Sequence, residues 1–314
     1  MTKPIDSDAI DQLARDIFET MVQMPGTRAG HRIVHAKGLV CRGTFTPSRE
    51  AATLSRAAHF AGDAVPVTIR FSDAAPDPFV PDNSAFAGPR GIAIRFNLPG
   101  GKTTDIVAIS HNGFVVGTGE EFFALQKAVL ATDPTKPHPW PVEQFLGTHP
   151  VALKFVQECA VVPASFANEA FFSNDAFVFV NKSGARQAVR YQIQPVAGLR
   201  QLSEDEAKAK SPDYLMQDLK ARLAKGPIQY RLVAQLPNAG DPTSDPSLVW
   251  PEDRKTIDLG LTDIASVVPD SAQAERELAY FPTNLLDGIE LSDDPFPDLR
   301  SRVYLLASNH RQKK

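Results

Sequence analysis

Residues 66–98 read PVTIRFSDAAPDPFVPDNSAFAGPRGIAIRFNL, and this stretch decides the fold. At its start Val67, Ile69 and Phe71 alternate with Thr68, Arg70 and Ser72. At its end Ile92, Ile94 and Phe96 repeat the pattern. A period of two places the apolar set on one face, as in a half-buried β-strand. Arg70 falls on the other face, where an arginine ordinarily meets solvent.

Working outward, segments 33–46 and 104–110 also read as extended, and "HRIVHAKGLVCRGTF" places His35 on the first of these strands. Before them Ile10, Leu13, Ala14, Ile17, Phe18, Met21 and Val22 recur at helical spacing, and "PGTRAG" ends that helix. Residues 119–131 and 141–159 read as helical, parted by the proline-rich "DPTKPHPWP". "DAFVFVN" and "RQAVRYQIQPV" flank "KSG" as a hairpin. "EDEAKAKSPDYLMQDLKARLAKG" reads as one helix stopped by Gly226. "IQYRLVAQLP" and "TIDLGLTDI" add two strands, and "PDLRSRVYLLASNHRQ" a last helix behind a proline. Eight strands that mostly lack single crossover helices argue against a doubly wound parallel sheet. The expected class is α+β, a mostly antiparallel barrel or curved sheet decorated by helices.

The chain has 314 residues, enough for a substantial core. A net charge of −4, with no block dense in lysine or arginine, argues against a nucleic-acid partner. Cys41 and Cys159 offer neither a disulfide framework nor zinc spacing, which fits a reducing compartment. "MTKPIDSDAI" has no apolar signal core and no apolar run has membrane-span length, so the expectation is a cytoplasmic protein without membrane association. The 26 prolines are spread among many loops, which favours one loop-rich unit.

Few residues carry chemistry on their own terms. A lone strand histidine such as His35 is more often packed than catalytic. Arg300 and Tyr304 are four apart on one helix face, and a guanidinium beside a phenol stabilises the phenolate, a ligand for ferric iron. An Arg–Tyr packing pair is the bland reading of the same spacing. Arg32, Arg70 and Arg311 suit carboxylates, although spacing alone does not bring them together. "GPRGIAI" lacks the G-x-G-x-x-G order of a dinucleotide site. His111, His138 and His149 show no metal-ligand spacing. Phe122, Phe123, Phe171 and Phe172 suit core or pocket, and "LSDDPF" suits a turn.

In order along the chain, "RIVHAKG", "GTFT", "VTIRFSD", "GPRGIAIRFNLPGG", "DPSLVWPE", "LAYFPTNLLDGIELSDDP" and "RSRVY" resemble the signatures of the haem catalase family. The resemblance runs from about residue 28 to the end, and the short length is most like the catalase-related peroxidases. It implies an eight-stranded antiparallel β-barrel with surrounding helices and haem b between the barrel and the C-terminal helix. It implies one domain over 1–314, with an N-terminal helix at 1–24, the barrel and inserted helices at 28–261 and a ligand-bearing segment at 262–314. By resemblance His35 is the distal proton carrier, Ser72 orients it and Val34 narrows the approach to iron. Tyr304 is the iron ligand and Arg300 its partner, while Arg32, Arg70 and Arg311 bind the haem propionates. Arg311 lies near a terminus that can fray.

One departure matters. Catalases carry a distal asparagine four residues after the aspartate of their D-x-V segment, and here that position is Ile109, followed by Ser110, His111 and Asn112. The expected activity is therefore peroxidase chemistry, using hydrogen peroxide or organic hydroperoxides and an organic electron donor, with weak catalase turnover. Two other readings stay open: a hydroperoxide isomerase of the allene oxide synthase type on the same His35–haem–Tyr304 core, and a haem carrier or peroxide sensor, which shares the ligand but does not need His35. The resemblance also admits a homodimer joined through the N-terminal helices.

Overall fold

The structure, a computed structural model, describes residues 7–313. The alternating segments form strands as their period requires. In order they are β1 (Gly38–Pro47), β2 (Val65–Ser72), β3 (Gly91–Asn97), β4 (Thr103–Ile109), β5 (Phe171–Phe172), β6 (Phe177–Val180), β7 (Arg186–Pro195), β8 (Ile228–Gln235), β9 (Thr256–Val267) and β10 (Ile289–Leu291). Neighbours pair antiparallel in the order β7-β5-β4-β3-β2-β1-β9-β8, and β8 pairs again with β7, so eight strands close a barrel without free edges. β6 pairs with the first four residues of β7, and β10 with β6, as an extension of the sheet beyond the barrel. The barrel count agrees with the expected eight, but its membership differs. The hairpin strand β6 lies beside the barrel, and the two-residue β5 takes its place.

The apolar halves of the alternating strands fill the barrel. Val67, Ile69 and Phe71 from β2 and Ile92, Ile94 and Phe96 from β3 are all buried. They share one apolar cluster with Phe45, Phe171 and Tyr230 of other barrel strands, Phe179 of β6 and Phe166 of the turn before β5. Burying each such side chain contributes about 1.5–3 kcal/mol before entropy is counted.

The helices are α1 (Ser7–Val22), α2 (Ala51–Leu54), α3 (Gly119–Leu130), α4 (Pro141–Thr148), α5 (Pro150–Cys159), α6 (Glu204–Lys208), α7 (Tyr214–Leu223), α8 (Ser271–Glu277) and α9 (Phe296–Gln312). The helix expected over 204–226 is two helices. Pro212 follows Ser211 and cannot continue α6 as helix, and α7 begins afresh at Tyr214. Outside the barrel, Ala14, Ile17 and Met21 of α1 pack with Leu299 and Val303 of α9. This packing fixes α9 against the segment that precedes β1. Among the described residues no helix is long and apolar enough to cross a membrane.

Candidate active site

His35 does not lie on a strand. β1 begins at Gly38, and Arg32–Lys37 is irregular chain. The reason is the backbone of His35 itself, whose φ of 54° is the one positive value at a non-glycine residue among the described residues. That left-handed conformation costs on the order of 1–2 kcal/mol, and three hydrogen bonds hold it. His35 N donates to Ala74 O at 3.0 Å and Ala36 N to Ala75 O at 3.0 Å. Arg70 Nη2 donates to His35 O at 2.7 Å. The imidazole Nδ1 lies 3.1 Å from Ser72 Oγ, the last residue of β2. Opposite Ser72 on β3 stands Gly91. A Cβ there would sit 2.8 Å from Ser72 Oγ and 3.0 Å from His35 Nδ1, so only glycine leaves room for the pair.

The ring is surrounded by protein yet keeps some accessible surface, as a group lining an internal cleft does. Burial, then the charges of Arg70, Arg32 and Arg300, push its pKa down to about 3, against a hydrogen bond that the ring donates to the Asp73 backbone. The imidazole is therefore neutral near pH 7, with Nδ1 committed to Ser72 and Nε2 available. Behind Ser72, the carboxyl of buried Asp73 is pushed upward by burial and by Asp82, so it holds a proton more readily than an ordinary aspartate.

The three arginines converge. Arg70 is buried rather than solvated, because Glu275 of α8 meets it from 205 residues away: Nε lies 2.8 and 2.7 Å from the two carboxylate oxygens. Arg32 Nε lies 3.5 Å from the same carboxylate, and Arg32 Nη2 donates to Leu278 O at 2.7 Å. Arg311 is buried, not frayed, and donates to Arg276 O at 3.0 Å and Leu278 O at 2.9 Å. Carbonyls at the C-terminal end of α8 suit such cations. Burial first, then the neighbouring Arg70, lowers the pKa of Arg32 to about 9 and moves Arg311 in the same direction.

On α9, Arg300 Nε donates to Tyr304 Oη at 3.2 Å. Its Nη1 pairs with the buried Asp175. Burial alone would lower the Arg300 pKa, but Asp175 and then Tyr304 outweigh it and the guanidinium is held charged. Asp294 stands close by. Its carboxyl is pushed upward by burial and by Asp175, and its Oδ1 accepts from Phe296 N at 2.9 Å at the start of α9. Thus "LSDDPF" is a bend that also starts α9.

The two faces adjoin. Val34 and Tyr304 pack on one apolar cluster with Phe122 and Phe123, and the charge of Arg300 acts on His35. Ile109, Phe114, Phe172, Asn174 and Arg300 line a cavity of about 20 Å³. A larger cleft of about 320 Å³, lined by Val115, Glu121, His149 and Asp245 among others, contains none of these site residues. Of the side chains after Ile109, Ser110 Oγ accepts from Arg90 N at 3.0 Å, and His111 is held by Gly113 O and Glu158 at 2.9 and 2.8 Å. Asn112 is half-buried. Among the described residues no cluster of His, Cys, Asp and Glu is arranged to hold a metal ion.

A family model described as catalase matches residues 12–313. The chain belongs to the catalase family. Members of that family are oxidoreductases acting on peroxide. The chain is 36% identical over 282 residues to a catalase-related peroxidase of Mycolicibacterium paratuberculosis, covering 89% of this chain and 88% of that one. It is 32% identical over 292 residues to a catalase-related peroxidase of Synechococcus elongatus, covering 92% and 85%. Similarity to catalase isozyme 2 of Cucurbita pepo is 26% over 317 residues and spans 94% of this chain but 63% of that one. The short relatives are thus matched over most of their length, and the plant catalase family member extends well beyond the match.

Four site residues escaped sequence reasoning: Gly91, Asp175, Glu275 and Asp294. Asp175 and Glu275 lie 125 and 205 residues from their arginine partners, so no local pattern announces them. Gly91 sits in "GPRGIAI", where rejecting a dinucleotide loop left its glycine without a role.

Proposed function

We propose that this catalase-family protein is a haem b-dependent peroxidase that reduces hydrogen peroxide or organic hydroperoxides with an organic electron donor and releases dioxygen only weakly. Two features of the chain suit haem. Among the described residues Arg32 Nε is a buried donor whose 3.5 Å contact with Glu275 falls short of a hydrogen bond, which leaves it suited to a porphyrin carboxylate. Tyr304 Oη accepts from Arg300 and donates to no acceptor among the described residues, which leaves its oxygen suited to ferric iron. Tyr304 would hold the metal, Arg32, Arg70 and Arg311 the carboxylates, and Val34 the distal face. When bound, the group supplies the redox chemistry.

The protein's part is proton handling and positioning. His35 Nε2 accepts a proton from one peroxide oxygen and returns it to the other, which a neutral imidazole is suited to do. Ser72 and Gly91 fix the ring plane, and the left-handed backbone aims it. Arg300, kept charged by Asp175, donates to the phenol oxygen and moderates its electron donation. The preference for a donor over a second peroxide rests on Ile109, an aliphatic side chain that lines the cavity beside Arg300 and offers no amide to place that second molecule. The observation carrying the proposal is the neutral His35–Ser72 pair adjoining the Arg300–Tyr304 pair.

The test gives haem-loaded protein hydrogen peroxide or an organic hydroperoxide, with and without a phenolic donor, while dioxygen and donor oxidation are recorded. Donor oxidation should dominate and should collapse in His35→Ala with haem still bound. Dioxygen release matching a full-length catalase without donor oxidation would overturn the proposal. So would unchanged turnover in His35→Ala.

A further inference from the structure

We propose that Glu275 is a positioning residue for His35, acting through Arg70; the inference rests on His35 being the proton carrier of the peroxidase reading. Among the described residues Arg70 is the side chain that bridges the α8 carboxylate and the His35 backbone. Its Nε meets both Glu275 oxygens at 2.8 and 2.7 Å, and its Nη2 meets His35 O at 2.7 Å. A planar guanidinium has its donors in fixed directions. Fixing Nε on Glu275 therefore fixes where Nη2 points, and so where the His35 carbonyl must lie.

The path is built for this. Gly38 opens β1 opposite Ser72, and a Cβ on it would stand 2.3 Å from Arg70 Nη2 and 2.6 Å from Arg70 Cζ. The guanidinium thus passes through a gap that only glycine leaves, and reaches the one non-glycine residue in left-handed backbone among the described residues. Glu275 also stands beside Arg32. Three guanidiniums gather around this single carboxylate, so it is the anion that keeps Arg70 from turning away from its cationic neighbours. Glu277, two residues on, turns instead to Gln273 of its own helix. α8 therefore presents one acidic side chain to the cluster.

The consequence is specific. Removing the charge of Glu275 releases Arg70, the His35 carbonyl loses its fixed donor, and the imidazole loses its aim without any change to the imidazole itself. The haem-loaded Glu275→Gln variant should bind haem in the same ratio as wild type. Its peroxide turnover per haem should fall about tenfold, within the range that misplacing a catalytic group by an ångström produces. Its KM for the donor should stay unchanged. The rate of cyanide binding, read at the Soret band, should fall by a similar factor, because HCN must lose its proton to a distal base before the anion binds. A residue that merely stabilises α8 would lower the melting temperature and leave the cyanide rate alone. Glu275→Asp keeps the charge but withdraws the carboxylate by one methylene, and should recover part of both losses.

Should Glu275→Gln not take up haem, the same measurements on Glu275→Asp decide. Wild-type turnover and cyanide rate in a loaded variant would overturn the proposal. His35→Ala serves as the control: if it collapses both quantities while the Glu275 variants do not, Glu275 alone is misassigned. If it changes neither, the proton-carrier reading of His35 fails.

Discussion

Gly91→Ala adds one methyl group to the site and nothing else. Gly91 is not in left-handed backbone, so contacts alone set the outcome. The new Cβ would stand 2.8 Å from Ser72 Oγ and 3.0 Å from both Cε1 and Nδ1 of His35. Ordinary carbon contacts begin near about 3.5 Å, so each neighbour has to retreat by roughly half an ångström or more. The backbone has little freedom to give. Gly91 and Ser72 are paired across β2 and β3, and His35 is held by Ala74 and Arg70. Relief must come from turning the Ser72 hydroxyl or swinging the imidazole, and either breaks the 3.1 Å contact between them. Overpacking of this kind costs about 1–3 kcal/mol of stability, and a misaimed base costs about 10- to 100-fold in turnover. The assay is donor oxidation per bound haem, with the melting temperature recorded alongside. Ser72→Ala supplies the second arm of a double-mutant cycle. With Oγ gone the closest contact disappears and the ring is freer to move off the remaining 3.0 Å contacts, so Gly91→Ala/Ser72→Ala should lose less than the product of the two single losses. Wild-type turnover in Gly91→Ala would refute the reasoning, as would single losses that simply multiply in the double variant.

Tyr304→Phe deletes the oxygen that accepts from Arg300 while keeping the ring in its apolar cluster. Haem affinity should fall at least about tenfold with the melting temperature of the haem-free protein nearly unchanged, as read by absorbance titration and calorimetry; undiminished affinity would remove Tyr304 from the ligand role. Acid stability should depend on His59, which is buried against Phe60 and Phe96, its Nδ1 without a hydrogen-bond partner among the described residues and its pKa pushed from 6.5 to about 3 by burial. The unfolded chain binds this proton below about pH 6.5 and the folded chain does not until about pH 3, so stability is lost as pH falls through that window, by on the order of 4 kcal/mol at its end. His59→Leu should flatten the decline in urea midpoint between pH 7 and pH 4, and a decline parallel to wild type would count against it.

The barrel was legible where strands are long and half-buried. β2 and β3 announce themselves because each apolar side chain has a polar neighbour on either side. β5 does not, since two residues carry no period, and its place in the barrel follows only from pairing with β4 and β7. The site was legible unevenly. Spacing alone joined Arg300 to Tyr304, because helix geometry does that locally. Resemblance, not spacing, singled out His35 and Ser72. What stayed hidden was the His35 backbone, which departs from strand geometry through bonds supplied by Ala74 and Arg70. Arg70 misled for a related reason. On its own strand it belongs to the polar face, and only α8, far along the chain, turns that face into an interior.

The shortness of β5 has a bearing on how the molecule breathes. Most staves of the barrel are pinned by seven or more residues, whereas β5 is pinned to β4 at the single rung Ile109–Phe172. Local opening is easiest where the fewest pairs must part, so the wall has a built-in hinge line between β4 and β5. Both residues of that rung line the cavity that holds Arg300. Among the described residues the barrel's thinnest join and the wall of the cavity beside Arg300 are therefore the same place, so an edge-free cylinder can loosen beside that guanidinium while its longer staves stay paired.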